Sequence, residues 1–218
     1  MQSIPASHSQ SVRSAYLSGF ILAGGSSRRM GLPKPALRID GESMLERQIR
    51  RLQSLARRVV VIGGPPAYLD NFNVPVIPDA VAGRGPLAGI YTALLETRTD
   101  LNLVLGCDLP FVSHGLLGFL AARALATGSD VTVPVSRGGR FETLCAVYHR
   151  RALYAIRTSL EQGENKPRAF FRKVRCDAIQ WREMADAGFQ PSVFENMNSP
   201  EDYEYARKRF EASRATSA

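Results

Sequence analysis

The feature of the sequence that most constrains its fold is an alternation, through the first 130 residues, of short apolar runs and segments with helical spacing. The apolar runs, several of which end in glycine, are typical of buried parallel strands and cover residues 19–23, 59–62, 74–77, 101–105 and 131–133. Between them, apolar residues recur every three or four positions over residues 44–55, 87–94 and 116–124, as on the buried face of a helix. This alternation predicts an α/β fold with a doubly wound, mostly parallel sheet, whose ligands bind at the carboxyl ends of the strands.

The alternation loosens after Arg137, where we predict a strand over residues 144–148 and a helix over residues 152–160. Residues 167–171 predict a short helix, and residues 200–214 a longer one, because a serine, a proline and two acidic residues open it. We find no internal repeat or dividing linker, so we expect one domain over residues 18–214. Residues 1–17 are rich in serine and glutamine and lack the apolar centre of a signal peptide, which predicts a disordered extension.

The composition excludes several classes of protein. Hydrophobic residues make up 44% and charged residues 22% of the chain, which excludes a mostly disordered chain, a collagen-like repeat and a coiled coil. The three cysteines form no Cys-x-x-Cys pair, and no apolar run approaches the roughly 20 residues that span a bilayer. We therefore expect a soluble, cytoplasmic protein without a zinc knuckle or a disulfide framework. The formal net charge of +8 favours an anionic partner such as a nucleotide, a phosphate, a nucleic acid or a membrane surface.

The most informative segment is the glycine-rich loop over residues 22–34. A predicted strand leads into Gly24 and Gly25, and two serines, two arginines, a third glycine and Lys34 follow. Glycines let the backbone N–H groups approach an anion, and arginine and lysine neutralise phosphate charge. The loop is neither a Walker A motif nor a Gly-x-Gly-x-x-Gly motif. We interpret it as a phosphate site, the alternative being a tight turn with a solvated basic face.

Four stretches, in order along the chain, resemble the MobA family of molybdenum cofactor guanylyltransferases, which belong to the nucleotidyltransferases. They are Leu-Ala-Gly-Gly with the following Arg-Met-Gly and lysine (22–34), Pro-Asp with Gly-Pro-Leu-Ala-Gly-Ile (78–90), Cys-Asp-Leu-Pro (107–110) and Glu-Asn-Met-Asn-Ser-Pro (195–200). The resemblance implies a single Rossmann-like domain of the nucleotide-diphospho-sugar transferase type. It also implies transfer of GMP from GTP to molybdopterin or the molybdenum cofactor, with release of pyrophosphate.

The resemblance carries roles over to particular residues. It implies nucleotide contacts by Leu22, Ala23, Gly24, Lys34, Asp79 and Asp108, catalytic roles for Arg29, Lys34 and Asp108, and Mg²⁺ binding by Asp108 and Asn198. The partners it implies are GTP, the molybdenum cofactor and other proteins of cofactor biosynthesis or molybdoenzyme maturation. We expect neither nucleic acid nor a membrane as a partner.

The residues by themselves leave alternatives open at three of these positions. Asp108 could cap the helix that follows, although Ser113 fits that cap better. Asp79 could close an Asx turn, which is what the residues alone favour. Asn196 and Asn198 could be turn residues beside a Ser199 cap; residues two apart in an extended segment also point the same way, so both amides could face one site.

Two departures from the family's pattern keep other functions open. Pro33 stands where the family usually has an aspartate, which leaves open a related enzyme that uses CTP on the same cofactor or loads a sugar or alditol phosphate. Gly63-Gly64-Pro65 stands where the family tends to carry an asparagine on the base side. Other classes of function are a nucleic-acid-binding protein and a catalytically silent partner. The basic cluster formed by Arg168, Arg172, Lys173 and Arg175 is either a solvated face or a site for a phosphate-bearing acceptor.

Overall fold

The computed structural model describes residues 16–24, 33–64 and 72–215. Its strands are β1 (Leu17–Leu22), β2 (Arg38–Ile39), β3 (Glu42–Ser43), β4 (Arg58–Ile62), β5 (Val76–Ile77), β6 (Leu101–Gly106), β7 (Val131–Pro134), β8 (Cys145–His149) and β9 (Cys176–Ile179). Its α-helices are α1 (Met44–Gln53), α2 (Gly85–Glu96), α3 (His114–Thr127), α4 (Leu153–Glu161), α5 (Trp181–Asp186) and α6 (Pro200–Ala215). Short 3₁₀ helices cover Lys34–Ala36, Arg150–Ala152, Pro167–Lys173 and Pro191–Phe194. None of the helices described is both long and apolar enough to cross a membrane.

The strands form a central seven-stranded sheet in the order β5-β4-β1-β6-β8-β7-β9, and β2 and β3 form a separate hairpin. Neighbouring strands in the sheet run parallel, except that β8 is antiparallel to both β6 and β7. The predicted α/β fold with a mostly parallel sheet is therefore confirmed.

Helices cover both faces of the sheet, because successive side chains of a strand point to opposite faces. In β1, Ile21 packs with the core that α1 and α3 cover, whereas Phe20 and Leu22 pack with the core that α2 and α4 cover. The apolar residues that predicted these helices are the ones that are buried: Leu45, Ile49 and Leu52 in α1, Leu87 and Ile90 in α2, Leu116, Leu117 and Leu120 in α3, and Ile156 in α4.

Some elements differ from the sequence-based predictions. Strand β1 begins at Leu17, which we had assigned to the extension; its side chain is 4% exposed and belongs to the core. The segment 167–171 is part of a 3₁₀ helix, not an α-helix. Strand β9 and helix α5 were not predicted, because the four residues of β9 include Asp177 and do not form an apolar run. Residues 1–15 lie outside the described part of the chain.

The sheet brings the predicted site segments to one edge. Leu22, the last residue of β1, lies in register with Ile62 at the end of β4 and with Gly106 at the end of β6. All three strands run in the same direction, so the segments that follow them emerge together. Those segments contain Gly24, Gly63 and Asp108.

Candidate active site

A cleft of about 450 Å³ lies at the carboxyl ends of these strands. Its lining comes from the start of α2 with the loop before it, from the end of β1, and from Ile62 and Leu144. The lining residues are Leu22, Gly24, Ile62, Asp79, Val81, Gly83, Arg84, Gly85, Pro86, Gly89 and Leu144. The volume lies within the range of about 300–1,000 Å³ that is usual for small-molecule sites. Three of the predicted nucleotide contacts, Leu22, Gly24 and Asp79, thus line one cleft.

Glycines allow the cleft to form where chain segments approach closely. A Cβ atom on Gly63, whose φ is +70°, would lie 3.2 Å from Oδ2 of Asp79, and one on Gly24 would lie 3.6 Å from the same atom. Gly89 lets α2 pack on Leu22, because a Cβ atom there would lie 2.9 Å from the Leu22 Cδ1 atom. Partial burial raises the pKa of the Asp79 carboxyl above its usual value.

A second group of side chains, which we call the lysine cluster, consists of Lys34, Asp108 and Asn198. The Lys34 Nζ atom donates to Asp108 Oδ2 at 3.0 Å and to Asn198 Oδ1 at 2.6 Å. Pro33 and Pro35 flank Lys34 and restrict its backbone. The cluster brings together three of the predicted site residues. Asp108 lies 74 positions and Asn198 164 positions after Lys34 in the sequence.

The Asp108 carboxylate is held by close packing and by its loop. A Cβ atom on Gly106 would lie 2.8 Å from Asp108 Oδ1, so glycine is required for this carboxylate position. The Asp108 carbonyl oxygen accepts a hydrogen bond from Met197 N–H at 2.9 Å. Ser113 caps the amino end of α3: its Oγ accepts a hydrogen bond from Leu116 N–H at 3.1 Å. The alternative interpretation of Asp108 as the helix cap is therefore wrong.

The asparagine segment is ordered by the start of α6. The N–H groups of Asn198 and Ser199 donate to Asp202 Oδ2 at 2.8 and 2.9 Å, and Ser199 Oγ accepts from Asp202 N–H at 3.2 Å. These bonds hold the pKa of the Asp202 carboxyl below its usual value, the Asn198 N–H bond contributing most. Backbone capping thus leaves the Asn198 side chain directed at Lys34.

A second cavity, of about 370 Å³, lies beside the lysine cluster. Asn196, Asn198, Arg137 and Arg140 contribute to its lining. Asn196 Oδ1 is buried and has no hydrogen-bond partner in the described part of the structure. The two asparagines therefore contribute to the lining of one cavity.

The cleft and the lysine cluster are adjacent. Leu144 lines the cleft and packs against Gly106. A Cβ atom built on Gly106 would lie 3.3 Å from the Leu144 Cβ atom and 2.8 Å from Asp108 Oδ1, so both residues contact the same glycine. The N–H group of Cys107 donates to the Leu22 carbonyl at 3.3 Å, which ties the two strand ends together. The cleft and the Asp108 carboxylate of the lysine cluster are therefore neighbours at the strand ends.

The oxygens of the lysine cluster form a donor set that suits a magnesium ion. Asp108 Oδ2 and Asn198 Oδ1 converge on one point, which the Lys34 ammonium group occupies. Mg²⁺ takes one or two protein carboxylates and completes its shell with waters and phosphate oxygens. Among the described residues, no group of three or more histidine, cysteine, aspartate or glutamate side chains could hold a metal ion.

Other predicted residues take different positions. Arg29 lies outside the described residues. Ala23 is 3% exposed, and its N–H group donates to the Ile62 carbonyl at 3.0 Å, so it binds the neighbouring strand.

The basic cluster divides into two kinds of residue. Lys173 Nζ donates to Ser159 and Gln162, and Arg175 donates to the Thr127 carbonyl, so both stabilise the fold. Arg168 and Arg172 are exposed.

Among the described residues of the site, Arg84, Gly106 and Leu144 are examples that sequence reasoning missed. Gly106 ends an apolar run, which was a signal for close approach, and Arg84 is the cation directly before the Gly-Pro-Leu-Ala-Gly segment. Nothing local marks Leu144.

Comparison with known proteins agrees with this geometry. Residues 19–179 match the family described as the MobA-like NTP transferase domain. The chain is 34% identical to a probable molybdenum cofactor guanylyltransferase of Pelotomaculum thermopropionicum, over 90% of this chain and 94% of the relative. It is 31% identical to a molybdenum cofactor guanylyltransferase of Desulfosudis oleivorans, over 91% of this chain and 98% of the relative.

Solved structures share the fold. Molybdopterin-guanine dinucleotide biosynthesis protein A of Archaeoglobus fulgidus aligns with a TM-score of 0.77 at 22% identity, over 89% of this chain and 99% of that one. The 2-C-methyl-D-erythritol 4-phosphate cytidylyltransferase of Thermus thermophilus aligns with a TM-score of 0.65 at 19% identity, over 90% of this chain and 99% of that one. By its sequence match over most of its length, the chain belongs to the MobA-like NTP transferase family.

Proposed function

We propose that the protein transfers GMP from GTP to the terminal phosphate of molybdopterin or the molybdenum cofactor and releases pyrophosphate. The observation that carries the proposal is the position of the lysine cluster beside a nucleotide-sized cleft at the strand ends. The names of the relatives supply the identity of the donor and acceptor. A nucleoside triphosphate donor is the reason to propose a cytoplasmic location.

In this proposal the cleft holds the nucleoside and the lysine cluster holds the phosphates. Leu22 and Gly24 contact the nucleotide, and Asp79 accepts from its base. Lys34 stabilises the negative charge that develops as pyrophosphate leaves, with Arg29 as a further proposed cation. Positioned cations of this kind are commonly the largest catalytic contribution in phosphoryl transfer.

Asp108 and Asn198 are proposed to hold Mg²⁺. When bound there, the ion would neutralise phosphate charge. Lys34, which occupies the convergence point in this structure, has a flexible side chain that can turn towards the phosphates.

The acceptor needs little activation, because a phosphate group already carries negative charge near neutral pH. Catalysis then depends on positioning and charge stabilisation. We propose the cavity lined by Asn196 and Asn198 as the approach for the acceptor. We also propose that other proteins of cofactor biosynthesis or molybdoenzyme maturation bind this protein.

The alternative donor, CTP, is not favoured. The fold alone does not choose between them, since a cytidylyltransferase aligns with it. The relatives at 31% and 34% identity are named as guanylyltransferases, and they support GTP.

Pyrophosphate release tests the proposal. The wild-type protein is mixed with Mg²⁺, molybdopterin and GTP, CTP, UTP or ATP in turn, and we expect release with GTP. Lys34→Ala and Asp108→Asn should fold, as judged by circular dichroism, and lose activity by about 100-fold or more. Release without a dependence on these residues, or with CTP alone, would overturn the proposal.

A further inference from the structure

Arg84 is a charged residue of the cleft that the proposed chemistry does not use. It precedes the first residue of α2, and its Nη2 group donates to the Leu160 carbonyl near the end of α4. The guanidinium group therefore links the start of α2 to α4, the two helices that cover the same face of the sheet. This bond fixes the side chain, so little conformational entropy remains to be lost when a ligand binds.

The guanidinium group keeps unused donors. Its Nε–H group is buried and has no acceptor in the described part of the chain, and no carboxylate there forms an ion pair with it. A buried donor without a partner destabilises the folded protein. Because Arg84 lines the cleft and no described carboxylate neutralises it, the remaining N–H donors of its guanidinium group that face the cleft are available to a ligand.

Asp79 presents the opposite charge in the same cleft. Its carboxylate also has no ion pair or hydrogen bond with the described residues, and burial alone accounts for the direction of its pKa shift. Arg84 and Asp79 therefore do not neutralise each other, although both line the cleft. The ligand part that lies between them must offer acceptors to one and donors to the other.

The phosphates do not meet this description. A phosphate group offers acceptors to Arg84 but no donor to the Asp79 carboxylate, and Lys34 and Asp108, which suit the phosphates, are not among the residues that line the cleft. The cleft is left for the nucleoside. Among the bases, guanine carries two adjacent acceptors, O6 and N7, beside donors at N1 and N2, and arginine commonly donates to O6 and N7 together. Adenine and cytosine both present an amino donor where guanine presents O6.

We propose that Arg84 selects guanine by donating to the O6–N7 edge of the base, while Asp79 accepts from its N1–N2 edge. The inference rests on the proposed function and names the residue that decides which nucleotide is used. It also gives a physical reason for a GTP preference in a chain that lacks the asparagine its family tends to carry after the second strand.

An analogue of GTP that lacks N7 tests the contact directly. In 7-deaza-GTP a C–H group replaces N7, so the analogue keeps the triphosphate, the ribose and O6. We expect the wild-type protein to bind GTP about 5- to 100-fold more tightly than the analogue in calorimetry with Mg²⁺. Arg84→Ala should weaken GTP binding by a larger factor than binding of the analogue, because only GTP offers both O6 and N7 to the guanidinium group.

Two further variants separate the contact from charge and from folding. Arg84→Lys keeps the positive charge but loses the planar fork, so it should recover only a small part of the discrimination. Arg57→Ala removes an exposed arginine near the amino end of β1, far from the cleft, and should change neither affinity. The ratio of the two affinities does not depend on the fraction of folded protein.

The outcomes distinguish this inference from the proposed function. Equal loss of GTP and 7-deaza-GTP binding in Arg84→Ala would show that the cation acts on the phosphates or on the fold, and would overturn the inference. So would a wild-type protein that prefers GTP to CTP but binds both guanine nucleotides equally. A wild-type preference for CTP would instead overturn the proposed function.

Discussion

At the scale of single residues, the site depends on positions where a side chain is absent as much as on the charged groups. Asp108 can direct its carboxylate at Lys34 because Gly106 carries no Cβ atom. Gly63 likewise leaves room for the Asp79 carboxylate, because it carries no Cβ atom. Its φ of +70° is a conformation that glycine adopts without strain. The charged residues are recognisable from their chemistry, whereas the need for these glycines follows from the distance between chain segments.

Gly106→Ala should damage the reaction more than the fold. The added Cβ atom would lie 2.8 Å from Asp108 Oδ1, and the carboxylate must move away. A displacement of about 1 Å can cost about 100-fold in rate, whereas overpacking costs about 1–3 kcal/mol in stability. Steady-state pyrophosphate release and thermal unfolding measure the two effects.

Gly118→Ala is the matched control for this substitution. The nearest atom to its added Cβ would be Leu55 Cδ2 at 3.9 Å, which is ordinary contact, and the position lies within α3. Full activity is expected here, with equal or greater stability. Normal activity in Gly106→Ala as well would mean that the Asp108 position is unimportant.

At the scale of elements, α1 and α6 hold the segments of the candidate site from outside the sheet. Gln48 of α1 donates through Nε2 to the Leu109 carbonyl at 2.8 Å, and Arg51 donates to the Pro110 carbonyl at 2.9 Å. Burial lowers the pKa of Arg51 to about 10, with Arg47 and Arg50 adding to the effect, yet it stays a cation at neutral pH. Helix α1 thus fixes the backbone directly after Asp108.

Gln48→Leu should loosen this loop. It leaves the Leu109 carbonyl without its donor, which costs about 1–3 kcal/mol when the group is buried. We expect a lower midpoint in urea and slower pyrophosphate release at a temperature where the variant is folded. Gln53→Leu, at an exposed position of the same helix, provides the comparison. Equal effects of the two variants would argue against a role for the hydrogen bond.

The start of α6 carries a pH-dependent contribution. The pKa of Asp202 is lowered in the folded protein, so its stabilisation is complete above the pKa of the unfolded chain, about 3.9, and is lost as the pH falls through the lower folded value. Asp202→Ala should therefore be less stable than wild type at pH 7 by about 1 kcal/mol, the usual value of a capping interaction.

Urea unfolding of wild type and Asp202→Ala between pH 7 and pH 2.5 measures this difference. The gap should narrow only below pH 4. A gap that is constant down to the lowest pH would show that the carboxylate charge makes no contribution.

At the scale of the whole molecule, one sheet joins the N-terminal half to the C-terminal half. Strand β8 pairs with β6 and β7, and β7 pairs with β9, so the segment after residue 130 completes the same sheet instead of forming a separate core. Tyr148 of β8 is fully buried and accompanies Phe20 of β1 in one apolar cluster. This continuity supports the proposal of a single domain.

Unfolding should accordingly occur in one transition. Trp181 is the only tryptophan and packs against the core that α1 and α3 cover, so its fluorescence reports on the C-terminal part, whereas circular dichroism reports on the whole chain. We expect coincident curves in urea, and a shift of both to higher urea with GTP and Mg²⁺. Two separate transitions would contradict the single domain.

The sequence by itself determined the local elements and the class of chemistry. Apolar runs located the strands of the central sheet through residue 130, and apolar spacing of three and four residues located the helices, because these strands are buried on both faces whereas each helix buries one face. The residues of the glycine-rich loop indicated a phosphate site, and the resemblance of four short stretches to the MobA family indicated a nucleotidyltransferase. These signals lie within short windows, where neighbouring residues are enough to express them.

Only the tertiary structure decided which of these residues meet. The lysine cluster joins Lys34 to residues 74 and 164 positions away, and the antiparallel placement of β8 brings Leu144 next to Gly106. Arg84 gained its place in the cleft through a carbonyl of α4, which is 76 positions away. Such contacts depend on how the sheet orders its strands and how the helices pack on it, and no short segment of the chain encodes them, because their free energy comes from burial shared among distant segments.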